Sequence, residues 1–256
     1  MTTRRLAALI TALAGLSACA APAPAPTGVA PSDVVVVGDR SVPAGAVPPS
    51  PASLDGRIQG LARAFVAVAD RVEPAAEAAC LRQAGPGVDC DFQIVLDDRT
   101  GAPPNAFQTE DRRGRPIIAF TVSLLGQVEN ADEMAFIIAH EAAHHIEGHL
   151  ARQREYATLG ATVFGQLAGA GGATDEAIRT AQQMGAVVGA RTYSRDFELE
   201  ADALGTVITA EAGYDPLVGS RFFFRLPDPG DRFLGTHPPN AQRLAIVQQT
   251  AARLGY

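Results

Sequence analysis

Apolar residues recur at helical spacing along most of the chain, and at strand spacing only between residues 92 and 120. Ile58, Leu61, Phe65, Val68 and Val72 step by three and four. That spacing lays one apolar stripe along a helix starting near Leu54 and interrupted at Pro74. The segments FQIVLDD (92–98), NAFQT (105–109) and RPIIAF (115–120) are separated by a Gly/Pro turn and a charged turn at 110–115. They predict a small sheet of about three strands. Asn130 is placed to cap the next helix, with Glu133 three residues on to complete a capping box, and the apolar run MAFIIA follows. The small-residue stretch 157–173 is too polar and glycine-rich for a membrane span and predicts a helical hairpin packed on the domain. Helices are expected at about 175–190 and 194–212, the second stopped by Gly213 and Pro216, and at 239–254. Phe222, Phe223 and Phe224 read as core. Helices dominate over a small sheet, so the expected class is α+β and mainly helical.

The ends of the pattern differ from its middle. Arg4 and Arg5, the short apolar run Leu6 to Leu16 and the small residues before Cys19 form a secretory signal over residues 1–18. The run is too short to span a bilayer, which needs roughly 20 apolar residues. Leu16-Ser17-Ala18-Cys19 resembles the lipobox of bacterial lipoproteins, which implies cleavage before Cys19 and acylation of its thiol; an ordinary signal peptide is the alternative. Ala20 in place of Asp favours the outer membrane of a Gram-negative cell by the same analogy. Residues 19–53 then form an Ala/Pro-rich tether, with Val34 to Val37 a β-prone patch of no assigned role. The folded domain spans 54–256 and faces the periplasm. That compartment is oxidising, and Gly85, Pro86 and Gly87 can turn the chain between Cys80 and Cys90. A disulfide is expected there, two buried thiols being the alternative.

Composition narrows the partners. Hydrophobic residues make up 47% and charged residues 19% of the 256, as in a folded domain. The net charge is −7, all 21 basic residues are arginine, and they cluster only at Arg112, Arg113 and Arg115. Nucleic acid is therefore not an expected partner.

Four of the five histidines lie in HEAAHHIEGH (140–149), as His140 with His144 and His145 with His149. Residues four apart on a helix are offset by only about 40°. His140 and His144 therefore point the same way, as two ligands of one ion must. Glu141 sits about 100° round from His140. This is the H-E-x-x-H pattern, whose glutamate acts as general base toward water on the metal. His145 and His149 face about 140° away, so one helix cannot aim both pairs at one ion. They read as scaffold, one packed and one exposed. The metzincin position for a third histidine is occupied by Leu150, so that spacing fails. The better third ligand is Glu198 in SRDFELEADALG (194–205). Asp202, four residues on, shares its face and can accept the ring N–H of a ligating histidine. Glu200 projects about 200° away from Glu198. Arg195 and Arg243 are candidate partners of the site carboxylates.

PNAF (104–107), HEAAHH, SRDFELEAD, GYDP with the following aromatic run, and THPPNAQR (236–243) together resemble the HtpX-like zinc metallopeptidases of peptidase family M48, over roughly residues 88–250. The resemblance implies a gluzincin-type domain whose sheet edge borders the active-site cleft. It implies one zinc ion on His140, His144 and Glu198, with Glu141 as base and Asp202 behind a ligand. It also places His237 near the zinc, to stabilise the oxyanion or occlude the open position. The implied activity is hydrolysis of unfolded or misassembled envelope proteins, a quality-control endopeptidase acting on polypeptide beside envelope assembly machinery. An extended substrate is expected to pair with the 117–120 strand. The alternatives are a tethered chaperone or assembly factor with a latent zinc site, and a zinc hydrolase acting on peptidoglycan peptides or small molecules.

Overall fold

The computed structural model describes residues 34–37, 56–225 and 238–256. The signal segment 1–18, Cys19, the 19–53 tether apart from Val34–Val37, and His237 lie outside the described residues. Four strands, β1 (Val34–Val37), β2 (Gln93–Asp97), β3 (Ala106–Glu110) and β4 (Pro116–Thr121), form one sheet in the order β1-β2-β4-β3. The valine patch thus gains a role: it pairs antiparallel with β2, Val34 opposite Asp97. β2 and β4 run parallel, Gln93 opposite Ile117. β3 turns back antiparallel on the outside of β4, Ala106 opposite Phe120. The 117–120 segment is therefore interior and has neighbours on both sides. The docking expected there is corrected: the edge strand next to β4 is β3.

The first helix, α1 (Gly56–Gln83), continues through Pro74 instead of stopping. A proline inside a helix removes one backbone bond and crowds the carbonyl four residues back. Here Phe65, Val68 and Val72 before it, and Ala76, Ala79 and Cys80 after it, are all buried. The apolar stripe crosses the proline, and packing outweighs the local cost. Cys80 is bonded to Cys90, Cα to Cα 5.7 Å, which ties the end of α1 to the approach to β2.

The short α2 (Val122–Leu125) leads to α3 (Ala131–Ile146), the central helix of the domain. Asn130 caps α3 by accepting the Glu133 N–H at 2.9 Å. Glu133 reaches back one residue further than a capping box requires, to the Glu129 N–H at 2.8 Å, and its carboxylate is shared with Arg225. α3 packs on α1, on β3 and β4, and on α6. Twelve of its sixteen residues are buried, Phe136, Ile138, Ala139, Ala142 and Ala143 completely.

The small-residue stretch is not a hairpin within itself. Residues 157–170 of it lie inside one helix, α4 (His149–Ala170), and 171–173 turn the chain toward its antiparallel partner α5 (Asp175–Thr192). The glycines set the pairing distance. A Cβ on Gly160 would lie 2.0 Å from the Gly185 carbonyl oxygen, and one on Gly189 2.0 Å from that of Tyr156. The two backbones touch where no side chain stands between them. Among the described residues, no helix is long and apolar enough to cross a membrane. Three further helices follow among the described residues: α6 (Ser194–Glu211), the short α7 (Pro216–Gly219), then a 3-10 turn at Ser220–Arg225, and α8 (Asn240–Leu254). Phe222 and Phe223 of that turn are buried as expected, whereas Phe224 is 69% exposed. The molecule is a mainly helical α+β fold.

Candidate metal centre

The crossing of α3 and α6 brings two parts of the sequence fifty residues apart into one site. At Gly205 an added Cβ would meet the His140 backbone at 3.1 Å, and Ala201 one turn earlier is fully buried. Small residues at the crossing let α6 approach closely enough for Glu198, one turn before Ala201, to face the histidines. His140 Nε2 and His144 Nε2 are 3.1 Å apart. Glu198 Oε2 lies 3.5 Å from His140 Nε2, and Glu198 Oε1 3.5 Å from His144 Nε2. Ligand bonds of about 2.0–2.1 Å in tetrahedral array set donors roughly 3.4 Å apart. The three side chains fit a metal ion of that size, and they are a group able to hold one.

Partners behind these side chains hold them in place. Asp202, with no exposed surface, places Oδ1 3.0 Å from His140 Nδ1. Arg243 of α8, 6% exposed, donates through Nε and Nη2 to the two Asp202 oxygens at 2.8 and 2.7 Å. The guanidinium also lies over the Phe223 ring at 3.7 Å and 3.5 Å from Glu198 Oε2. Burial disfavours a charged His140, yet its bonds to Asp202 and Glu198 overcome this and lift its pKa to about 9. Burial, with His140's charge nearby, pushes His144 well below its ordinary range. The carboxylates of Glu198 and Asp202 beside the two imidazoles draw positive charge to the site, as a place for a cation requires.

Glu141 lies in the same cleft, a cavity of about 450 Å³ lined also by Phe107, Gln108, Phe197 and Phe223. Burial raises its pKa and Glu198 adds to the effect, while His140, Arg243 and the Gln108 backbone N–H oppose it. Gln108 belongs to β3, so the free sheet edge forms one wall of the cleft beside Glu141. The Gln108 Oε1 atom is buried there without a hydrogen-bond partner.

Of His145 and His149, one is expected packed and one exposed; both are buried. His145 Nε2 bonds the Asp89 carbonyl at 2.8 Å and packs edge-on against Phe92. His149 is not on α3 at all. α3 ends at Ile146, and Gly148, with φ of +66°, turns the chain into α4. That left-handed turn, natural to glycine, brings His149 Nδ1 to 2.8 Å from His144 Nδ1. Counting helical phase through residue 149 missed this contact. The Glu147-Gly148 stop signal was the cue that the phase should be reset. Glu200, set aside as a ligand, bonds His149 Nε2 at 2.9 Å and Arg152 at 2.7 Å.

Residues 66–251 match the model of peptidase family M48. A Vibrio cholerae serotype O1 protein carrying the name beta-barrel assembly-enhancing protease is 34% identical over 130 residues, 48% of this chain. The mitochondrial metalloendopeptidase OMA1 of Arabidopsis thaliana is 31% identical over 141 residues, 52% of this chain. The matched segments span only 26% and 27% of those relatives' own lengths.

Proposed function

The chain belongs to peptidase family M48, and on that premise we propose that it is a zinc-dependent endopeptidase cutting unfolded or misassembled envelope polypeptides. The observation that carries the reading is the convergence of His140 Nε2, His144 Nε2 and Glu198 at 3.1–3.5 Å beside Glu141. Two imidazoles and one carboxylate, with a fourth direction open to the cleft, are the donor set of a catalytic zinc. A zinc ion held there supplies Lewis acidity toward the scissile carbonyl and lowers the pKa of water.

The chain's own groups do the rest. Asp202, anchored by Arg243, keeps the His140 Nδ1 proton directed away from the ligand position. Glu141 takes a proton from the attacking water and passes it to the departing amine. Its raised pKa brings the carboxyl nearer neutrality, which suits a group that must both accept and return a proton. The outer edge of β3 offers main-chain groups to an extended peptide, a mode of recognition with little sequence demand that suits unfolded chains. The signal-like N-terminus and lipobox support placement in the periplasm on the outer membrane. The Vibrio relative's name supports work near envelope assembly. Casein cleavage should be lost on chelation, return with zinc, and fall by about 10²–10⁴ in Glu141→Gln. Cleavage undiminished in Glu141→Gln would reject the reading.

A further inference from the structure

We propose that His149, Glu200 and Arg152 form a hydrogen-bonded chain that fixes the tautomer and orientation of His144, making His149 a positioning residue for the metal. The inference rests on the reading of His144 as a ligand. His144 turns Nε2 toward His140 and Glu198, so that nitrogen must carry the lone pair. In a neutral imidazole the proton then sits on Nδ1. The only group placed to accept it among the described contacts is His149 Nδ1, 2.8 Å away. His149 must therefore hold its own proton on Nε2, which points at Glu200 Oε2, 2.9 Å away. Glu200, acceptor only when ionised, is anchored by Arg152 at 2.7 Å. Each donor in the series meets an acceptor, and a single tautomer of each ring satisfies all three links.

The surroundings hold this arrangement. His149 is 4% exposed and stacks on Phe197, ring centroids 4.5 Å apart and 14° from parallel. Arg152 also packs on Phe197, its guanidinium 4.3 Å from the ring centroid. His149 does not act as a fourth ligand, since it meets the nitrogen of His144 that faces away from Glu198. The chain for His144 parallels the Asp202–Arg243 pair behind His140, built here from α4 and α6 instead of α6 and α8. Its residues sit in a stretch whose histidine otherwise reads as scaffold.

Two substitutions separate hydrogen bonding from packing. His149→Asn keeps an acceptor where Nδ1 stood and loses the stacked ring. His149→Phe keeps the ring and loses the acceptor. The measurement is zinc affinity by competition with a chromophoric chelator, with melting of the metal-free protein followed in parallel. His144→Ala comes first: if it leaves zinc affinity unchanged, the ligand reading itself fails. Given its loss, His149→Phe is expected to weaken zinc by about 10–100-fold, the usual cost of losing such a partner. His149→Asn is expected to stay within about threefold of wild type, even where the metal-free protein melts lower. Wild-type affinity in His149→Phe, or a loss in His149→Asn as large as in His149→Phe, overturns the proposal.

Discussion

Arg243 shows most plainly what a single side chain does here. It carries a charge into a nearly sealed interior, and Asp202 there has no exposed surface. Removing Arg243 leaves the buried Asp202 carboxylate with only His140 Nδ1 beside it among the described residues, and breaking a buried pair costs up to about 3–5 kcal/mol. Arg243→Ala should lose stability in urea unfolding, by at most about that much, and an unchanged midpoint would show that His140 alone satisfies Asp202. A second residue-scale test concerns Glu73 of α1. Burial, reinforced by Glu77, raises its pKa from 4.5 to about 7. The folded state therefore binds more protons than the unfolded chain between those values, and stability falls as pH rises through the window. Glu73→Gln should melt at the wild-type temperature at pH 4 and above it at pH 8; no gain at pH 8 would contradict the assignment. His140 with His144, and Glu198 with Asp202, were legible as pairs because i, i+4 spacing survives translation into a helix. The partner of His144 was not, because Gly148 resets the helical phase between positions only five apart.

At the scale of elements, strand existence and strand order behaved differently. Alternation located β2, β3 and β4 within a residue or two. Their order depends on β3 folding back outside β4 while β2 pairs on the other side, and no local pattern encodes that. The consequence is functional, since it moves the exposed edge onto the wall of the cleft. The Asn105 carbonyl accepts from Thr121 N–H, and the Gln108 N–H turns to Glu141. Alternation along the strand then points the Ala106 N–H outward. Ala106→Pro removes that one donor and no ladder bond. It should raise KM for an extended polypeptide several-fold, with kcat and Tm little changed; an unaltered KM would place substrate elsewhere. Pro74 teaches the converse. A local breaker lost to a stripe that buries Phe65, Val68, Val72, Ala76 and Ala79.

Across the whole molecule, the fold serves to bring α3 and α6 together. α3 packs against α1 and the sheet and against α6 and α7, and α8 packs on α6. Glu198 thereby faces His140 and His144, all three held on helices. The carboxylate could be picked out from the sequence because its own partner, Asp202, repeats the same four-residue spacing. The closeness of the crossing could not, since it rests on Gly205 meeting the His140 backbone. The central claim is that one zinc ion is held by these three side chains. It is tested most directly by the zinc content of the purified protein beside Glu198→Ala, each reconstituted after chelation and weighed by native mass spectrometry. The account predicts one zinc per chain in the wild type and little or none in Glu198→Ala at the same free zinc. One zinc per chain in both would contradict it.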